Sequence, residues 1–593
     1  MFVWDSNELN DEQSEAITES GSVFLVACPG SGKTRALTYK IAKELTELDE
    51  KNKWVIAITY THRAADEIKE RIEHLGVDTS RLWIGTIHSF CLEWIIKPYG
   101  SYHEKLKYGY GIINSFDTEE HITELCTKYV NPKVTYYDCN YHFTSQGIIY
   151  SSCKQAQIAN VSMVIEEYHS LLLETNLIDF EQILLFAYQL IHAEPSISKT
   201  LGNIFKYILI DEFQDTKEIQ YSIFAEILRA RQGEVKGFVV GDPNQAIYGS
   251  LGGYAISLDE LKQKTGINFI EKQLNKNYRS SSRIISHFEN YKVYDSEIIA
   301  EGDLARFQSS LTFNTNIHKN DLADYIAELI RYNIEELVIS ENEICIVAPW
   351  WIHLASMTRK LISALPDYNF NGPGMTPFAR DEDNFWYKVT KLALTVPSPS
   401  LYRRRLRWAG DLLSDLESNN FNVDGITPKS FLKIFNSIHI DENDGLNYLG
   451  TFFEALLEQL NLNINSYPAL EEHLTSFFES AQRRIERIKS ENEQYAGSID
   501  EFKKVFMDKT GITVSTIHGV KGAEFDTVIA YGLLEDIVPH FSDVDPTSGN
   551  KLMYVIGSRA RKHLHLISEK GRGNQWHPKY PTNILAQHRF DYD

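Results

Sequence analysis

The chain has 593 residues, 43% of them hydrophobic and 12% aromatic, enough for about four packed domains and too apolar for a disordered protein. A formal net charge of −22 argues against indiscriminate coating of nucleic acid, so a DNA site would have to be a local basic and aromatic track. No apolar run reaches about 18 residues and Met1–Glu8 lacks signal-peptide features, so a cytoplasmic protein without membrane contact is expected. Cys28, Cys91, Cys126, Cys139, Cys153 and Cys345 are scattered without a Cys-x-x-Cys pair, which points to reduced thiols and away from zinc or iron–sulfur centres.

In chain order, the apolar run Val23–Ala27 predicts a strand. It meets the turn Cys28-Pro29-Gly30-Ser31-Gly32, then Lys33-Thr34, and enters Arg35–Ile41 with helical apolar spacing. Strand, Gly-rich turn and helix in that order form the context of a phosphate loop, whose small residues let backbone N–H groups curl around a polyphosphate at a helix N-terminus. Lys33 would reach the β and γ phosphates of ATP, and the Thr34 hydroxyl would ligate Mg²⁺. Ala27 stands where the loop pattern usually has Gly.

Further strand-length apolar runs follow at Trp54–Thr59, Tyr207–Ile210, Gly237–Val240, Glu343–Val347, Thr513–Thr516, Thr527–Tyr531 and His563–Ile567. Alternating with helical stretches, they predict an α/β fold with parallel sheets and ligands at the strand C-termini. Two segments, 91–195 and 398–505, read as mainly helical; the second includes Leu474–Lys489 with apolar residues at helical spacing. Linkers are expected at Leu365–Gly374 and Thr395–Ser400. The run Tyr207–Ile210 delivers adjacent carboxylates at a strand end. Asp211 could hold Mg²⁺ there while Glu212 positions and deprotonates the attacking water.

Asp211-Glu-Phe-Gln-Asp-Thr216 resembles motif II of the superfamily 1A helicases, the UvrD/Rep/PcrA group, and other segments resemble that family's motifs in its order. They are Leu9–Gln13, Thr59–Ala65, Gly85–Ser89, Ile178–Leu184, Gly241–Tyr248, Asn277–Ser281, Thr516–Phe525 and Tyr554–Ala560. The resemblance implies two RecA-like P-loop lobes, each carrying a mainly helical insertion. Lobe 1A would comprise 1–90 and 196–270, insertion 1B 91–195, lobe 2A 271–397 and 506–593, and insertion 2B 398–505. It also implies that Gln13 and Arg35 contact adenine, Tyr278 stacks on it and Glu524 takes a ribose hydroxyl. Gln245 would sense the γ phosphate, and Arg279 and Arg559 would act as arginine fingers across the cleft. Tyr60 and Tyr248 would stack on bases, with Arg63, Thr86, His88 and His518 contacting the strand.

The sequence departs from the family after Tyr248, where Gly249-Ser250-Leu251-Gly252-Gly253 replaces a Gly-Trp-Arg-Gly-Ala run and so removes one stacking platform and one charge. It also has Cys345–Trp350 where an Arg is common. The resemblance therefore implies an ATP- and Mg²⁺-dependent translocase or helicase acting 3′ to 5′ on single-stranded or 3′-tailed DNA. The alternative is an ATP-gated DNA sensor that controls a separate nuclease or other effector, as in antiphage systems such as Gabija. Two basic clusters, Tyr402–Arg407 and Arg483–Lys489, read either as grips on duplex or a partner or as solvated helix faces.

Overall fold

Runs that are apolar at every position belong in sheets covered on both faces. The fold is a computed structural model describing residues 3–349, 351–372, 377–379, 381, 384–399, 401–491, 497–507, 511–541, 543, 545–574 and 576–593. Its first sheet contains β1 (Ser22–Ala27), β2 (Trp54–Thr59), β3 (Leu82–Thr86), β4 (Phe205–Ile210), β5 (Lys236–Gly241) and β6 (Phe269–Leu274), ordered β6-β1-β5-β4-β2-β3. The second contains β7 (Leu311–Asn314), β8 (Ile344–Ala348), β9 (Phe370–Asn371), β10 (Ile512–Thr516), β11 (Phe525–Ala530) and β12 (Ala560–Ile567), ordered β7-β12-β11-β8-β10-β9. Every pairing in both sheets is parallel.

The strands read from sequence are the interior ones. The four edges, β3, β6, β7 and β9, carry polar residues or are short, because an edge strand has a neighbour on one side only. β9 falls inside the segment expected to be the linker Leu365–Gly374, while Pro373, Gly374, Trp350 and Ser400 lie outside the described residues. β6 pairs with β1 through Leu274, so the first sheet extends beyond residue 270.

Each sheet is sandwiched between helices. One face of the first carries α1 (Asp11–Thr18), α2 (Lys33–Thr46) and α3 (His62–His74), with Val23, Leu25, Val55 and Ala57 facing Ala36, Ile41 and Ile68. The other face carries α4 (Phe180–Ala193) and α5 (Glu218–Ala230) in one core with Ile56, Ile208 and Val239. Thus α4, expected in the first insertion, belongs to the core of the first sheet. The insertion has its own core between about residues 113 and 177, including an antiparallel hairpin, Tyr141–Thr144 with Gly147–Tyr150, that its helical reading lacked.

The second sheet is followed by α6 (Trp351–Ala364) after β8. Among the described residues the second insertion is helical, with a separate aromatic core from Phe378 to Phe502, so Phe378, Phe385 and Leu394, expected in the second lobe ending at 397, pack with the insertion. It includes α7 (Tyr402–Ser418) and α8 (Pro468–Glu491). Helix α9 (Ser548–Ser558) then leads into β12. Part of the first basic cluster is committed to an internal contact. Arg404 on α7 holds Glu70 on α3 with two hydrogen bonds of 2.8 and 2.9 Å, and Arg407 reaches Asp66 at 2.7 Å. In the second cluster Ile485 and Ile488 are buried while Arg483, Arg484, Arg487 and Lys489 are exposed, the pattern of a solvated face.

Candidate functional site

The turn after β1 delivers Lys33 to the N-terminus of α2, with Gly32 as the capping residue at φ +81°. Gly30 also has positive φ, and both positions are crowded. A Cβ on Gly32 would lie 2.5 Å from Gln13 Nε2, and one on Gly30 would lie 2.6 Å from Arg279 Cβ. Side chains at these positions would therefore displace the groups that flank the loop. Gln13, held by its capping box with Asn10, donates to Ser31 O at 2.8 Å. Asn10 donates to the Tyr278 hydroxyl at 2.8 Å, and Arg35 reaches Glu8 O at 3.2 Å. Gln13, Arg35 and Tyr278 thus gather beside the loop, as expected of an adenine slot. Ala27, Cys28 and Pro29 continue β1 into the loop, where Ser31 Oγ donates to Cys28 O at 2.7 Å.

β4 ends at Ile210 and places Asp211 and Glu212 opposite the loop. Glu212 has φ +52° and ψ +52°, a left-handed conformation that costs a non-Gly residue about 1–2 kcal/mol. It sits in salt-bridge range of Lys33, Nζ to Oε2 being 3.4 Å. Burial works against the Lys33 charge, but Glu212, Asp242 and Asp211 outweigh it and raise its pKa. Burial would push Glu212 up, yet Lys33 and Lys521 hold it below the carboxylate range. Asp211 moves the opposite way, raised by burial and by the Glu212 charge. Asp211 Oδ1 accepts from Glu212 N at 3.0 Å. Its other oxygen and the Thr34 hydroxyl make no hydrogen bond among the described residues, leaving two hard oxygen donors that fit a magnesium ion.

A relay of polar side chains leads from this pair to the second lobe. Gln214 Oε1 accepts from Asp242 N at 2.9 Å, and Gln245 Nε2 donates to Asp242 Oδ2 at 2.8 Å. Arg559 Nη2 then donates to Gln245 Oε1 at 2.8 Å. Arg559 is fully buried, and that burial, with neighbouring Arg279, pulls its guanidinium pKa down. Arg279 pairs through Nε with Glu524 at 2.5 Å and gives Nη1 to Ser558 O at 3.0 Å. Glu524 and Arg559 occupy the N-terminal ends of β11 and β12, facing the C-terminal ends of the first sheet. Asn277 fastens the lobes further, Nδ2 donating to Pro29 O at 2.6 Å, while Gly30 O accepts from Tyr278 N at 3.0 Å.

Sequence reading did not single out Asn277, Asp242, Gln214, Asp215 or Lys521. Lys521 Nζ donates to Asp215 Oδ1 and to Gln245 O, both at 2.6 Å, joining the segment after β10 to the first lobe. All five lie within the quoted motif segments, but a segment's resemblance does not say which of its polar side chains crosses the cleft.

On the face at the C-terminal ends of β2, β3 and β10, Tyr60 and Tyr248 stack on one another with ring centres 5.2 Å apart. Tyr60 is 47% exposed. Lys521 lies over the Tyr248 ring at 5.1 Å, and the Tyr248 hydroxyl donates to His518 O at 3.1 Å. Arg63 is exposed on the first turn of α3, and Thr86 caps the helical turn after β3. His88 lies beside this face. Its ring meets Phe180 edge-on at 5.6 Å in the wall of a 190 Å³ cavity, Nε2 is shut from solvent, and burial lowers its pKa to about 3. His88 thus shares this cavity wall with Tyr60 and Thr86. Leu251 is 51% exposed in the turn that departs from the family pattern.

Comparisons with known proteins agree with this geometry. The UvrD/REP helicase N-terminal domain matches residues 9–266, and the UvrD-like helicase C-terminal domain matches residues 452–571. The ATP-dependent DNA helicase srs2 of Schizosaccharomyces pombe is 26% identical over 95% of this chain and 72% of its own length. The ATP-dependent DNA helicases PcrA of Staphylococcus epidermidis and Staphylococcus aureus are each 24% identical over 95% of this chain and 84% of their own. Among the described residues, no helix is long and apolar enough to cross a membrane.

Proposed function

The chain belongs to the UvrD-like superfamily 1A helicases, and from that premise we propose that it is an ATP-driven translocase on single-stranded DNA that moves 3′ to 5′. The observation that carries the reading is the continuous relay from Glu212 through Gln214, Asp242 and Gln245 to Arg559, which makes the catalytic site a joint property of both lobes. Lys33 binds the terminal phosphates, Glu212 orients and deprotonates water, and Gln245 senses the γ phosphate. Arg279 and Arg559 neutralise charge that develops on the phosphoryl oxygens. Thr34 and Asp211 would hold Mg²⁺, which supplies further charge neutralisation when bound. Gln13, Arg35 and Tyr278 orient the base, and Glu524 is the ribose-side acceptor.

Hydrolysis is coupled to motion because Arg279, Glu524 and Arg559 come from one lobe and Lys33, Glu212 and Gln245 from the other. The same inter-lobe seam contains Tyr248 and His518, so opening and closing it changes the grip on a strand lying over Tyr60, Arg63 and Thr86. Replacing Tyr60 by Ala is expected to weaken oligothymidylate binding by about 1–3 kcal/mol, the contribution of one stacked base, with ATP hydrolysis in the absence of DNA unchanged. Fluorescence anisotropy and a phosphate-release assay measure the two separately; equal loss of both would remove Tyr60 from the strand track.

Polarity is tested by unwinding duplexes with a 3′ or a 5′ tail. Activity on the 3′-tailed substrate alone is expected, and preference for the 5′ tail would reverse the direction. Ser250 and the exposed Leu251, standing where the family places a stacking Trp and an Arg, favour a second reading. In it the motor is an ATP-gated DNA sensor acting on a separate nuclease or other effector. Strong stimulation of hydrolysis by DNA without unwinding, until a partner is added, would select that reading.

A further inference from the structure

The strand track uses the C-terminal end of β10, where His518 follows Thr516. The same edge of the second sheet continues past β8 and β11 to β12 and β7, and there it carries a second group of residues with nucleic-acid chemistry. Lys319 follows β7, Lys360 lies on α6 and Arg572 follows β12. Together with Asn320 and Ser356 they line a 290 Å³ cavity whose described lining contains no carboxylate.

The backbone fixes this arrangement. Lys570 N donates to Ile317 O at 2.8 Å and Lys319 N to Lys570 O at 2.9 Å, which holds the Lys319 loop beside the chain leading to Arg572. Arg572 is anchored through Nε to the buried Glu569 at 2.8 Å. Neither Lys319 nor Lys360 has a carboxylate partner among the described residues. On a chain with a net charge of −22, convergent lysines without acidic partners are a local exception to the overall field.

Exposed aromatic residues follow Arg572 in the chain. After Arg572 the chain forms a hairpin, closed by Gly573 pairing with Pro578 and by Lys579 N donating to Arg572 O at 3.0 Å. Asn574 Oδ1 accepts from Trp576 N at 3.0 Å and from His577 N at 2.8 Å. Trp576 is 86% exposed there, and Tyr580 at the base of the hairpin is 60% exposed. An exposed indole contributes nothing to the core, whereas an unpaired base offers it a face to stack on. A duplex, whose bases are already stacked, offers none.

We propose that this edge is a second binding site for single-stranded DNA, with backbone phosphate in the Lys319–Lys360–Arg572 cavity and a base on Trp576. The site rests on the strand-track reading and extends it. β10 and β12 are three strand positions apart, about 14 Å at about 4.8 Å per step, so a strand confined to the track does not reach the cavity.

The test compares oligothymidylates of about 8 and about 20 nucleotides, within and beyond the span of about 4–16 nucleotides of a single strand-binding site. They are titrated against the wild-type chain, the Lys319→Glu/Lys360→Glu variant and the Trp576→Ala variant. All three substituted side chains are exposed, and melting curves check that the fold is retained. The 20-mer is expected to lose about tenfold in affinity or more in each variant, with 8-mer affinity within twofold of wild type. The salt dependence of 20-mer binding should also flatten by about 1.4 in log–log slope for two lost phosphate contacts. Unchanged 20-mer binding would overturn the proposal, as would equal loss on both oligonucleotides, which indicates only a general change in field. A wild-type chain that holds a blunt duplex at this edge more tightly than the 20-mer would reassign it. Wild-type binding to neither oligonucleotide would overturn the strand-track reading itself, and this proposal with it.

Discussion

Replacing Arg559 by Ala is expected to lower kcat for ATP hydrolysis by about 10³–10⁵-fold, the range associated with loss of an arginine finger. The physical reason lies in where the side chain is held. Arg559 is fully buried at the N-terminal end of β12, and it donates to the Gln245 amide oxygen, to Ala523 O and to Ser558 Oγ. Under the proposed mechanism, removing it would take away positive charge directed at the phosphates, and it breaks the hydrogen bond from Arg559 to Gln245 that spans the lobes. Because the truncation also leaves Gln245 Oε1 without its partner, Arg559→Lys is the necessary companion. It keeps the charge without the planar fork and should recover stability more than rate. Nucleotide binding should persist in both variants, since Lys33, Gln13 and Tyr278 are untouched. A kcat within tenfold of wild type for Arg559→Ala would mean that the lobes do not share the catalytic site.

Glu212→Gln should bind ATP with near wild-type affinity and lower turnover by about 10²–10⁴-fold, the range for loss of a positioned general base. The substitution is nearly isosteric, and Lys33 retains Asp242 and Asp211 nearby. The left-handed backbone at Glu212 makes the prediction specific. The fold accepts strain at that residue, and the outcome is a carboxylate held ionised between Lys33 and Lys521. Equilibrium binding of a fluorescent ATP analogue and single-turnover hydrolysis separate the two effects. Hydrolysis near the wild-type rate would move the base role to another carboxylate, with Asp215 and Asp242 the nearest alternatives.

Much of the fold was legible because burial on both faces leaves a plain signature. β1, β2, β4, β5, β8, β10, β11 and β12 each contain an apolar or β-branched run, and their ends fall within three residues of the sequence reading, the largest gap being at β12, which opens on Ala560-Arg561-Lys562. The edge strands were not legible. Phe269-Ile-Glu-Lys-Gln-Leu274 mixes charges into a strand with a neighbour on one side, and Phe370-Asn371 is too short to show a period. The hairpin Tyr141–Tyr150 was not legible because each of its strands is four residues long, too short to show a period.

The nucleotide site was legible at Gly30, Gly32, Lys33, Asp211 and Glu212 because loop, strand and helix occur there in sequence order. Its cross-cleft contacts were not. That Arg559 meets Gln245, that Lys521 meets Asp215 and that Arg404 meets Glu70 are consequences of tertiary docking between segments hundreds of residues apart. Composition likewise could not show that Tyr60 and Tyr248 lie against each other or that His88 shares a cavity wall with Tyr60.

The central claim is that hydrolysis at Lys33 and Glu212 is governed by lobe closure under a bound strand. Steady-state phosphate release by the purified chain, with and without saturating oligothymidylate, tests it most directly. Stimulation of about tenfold or more is expected, and it should be abolished in Glu212→Gln. A rate that is the same with and without DNA, in a chain that binds the oligonucleotide, would contradict it.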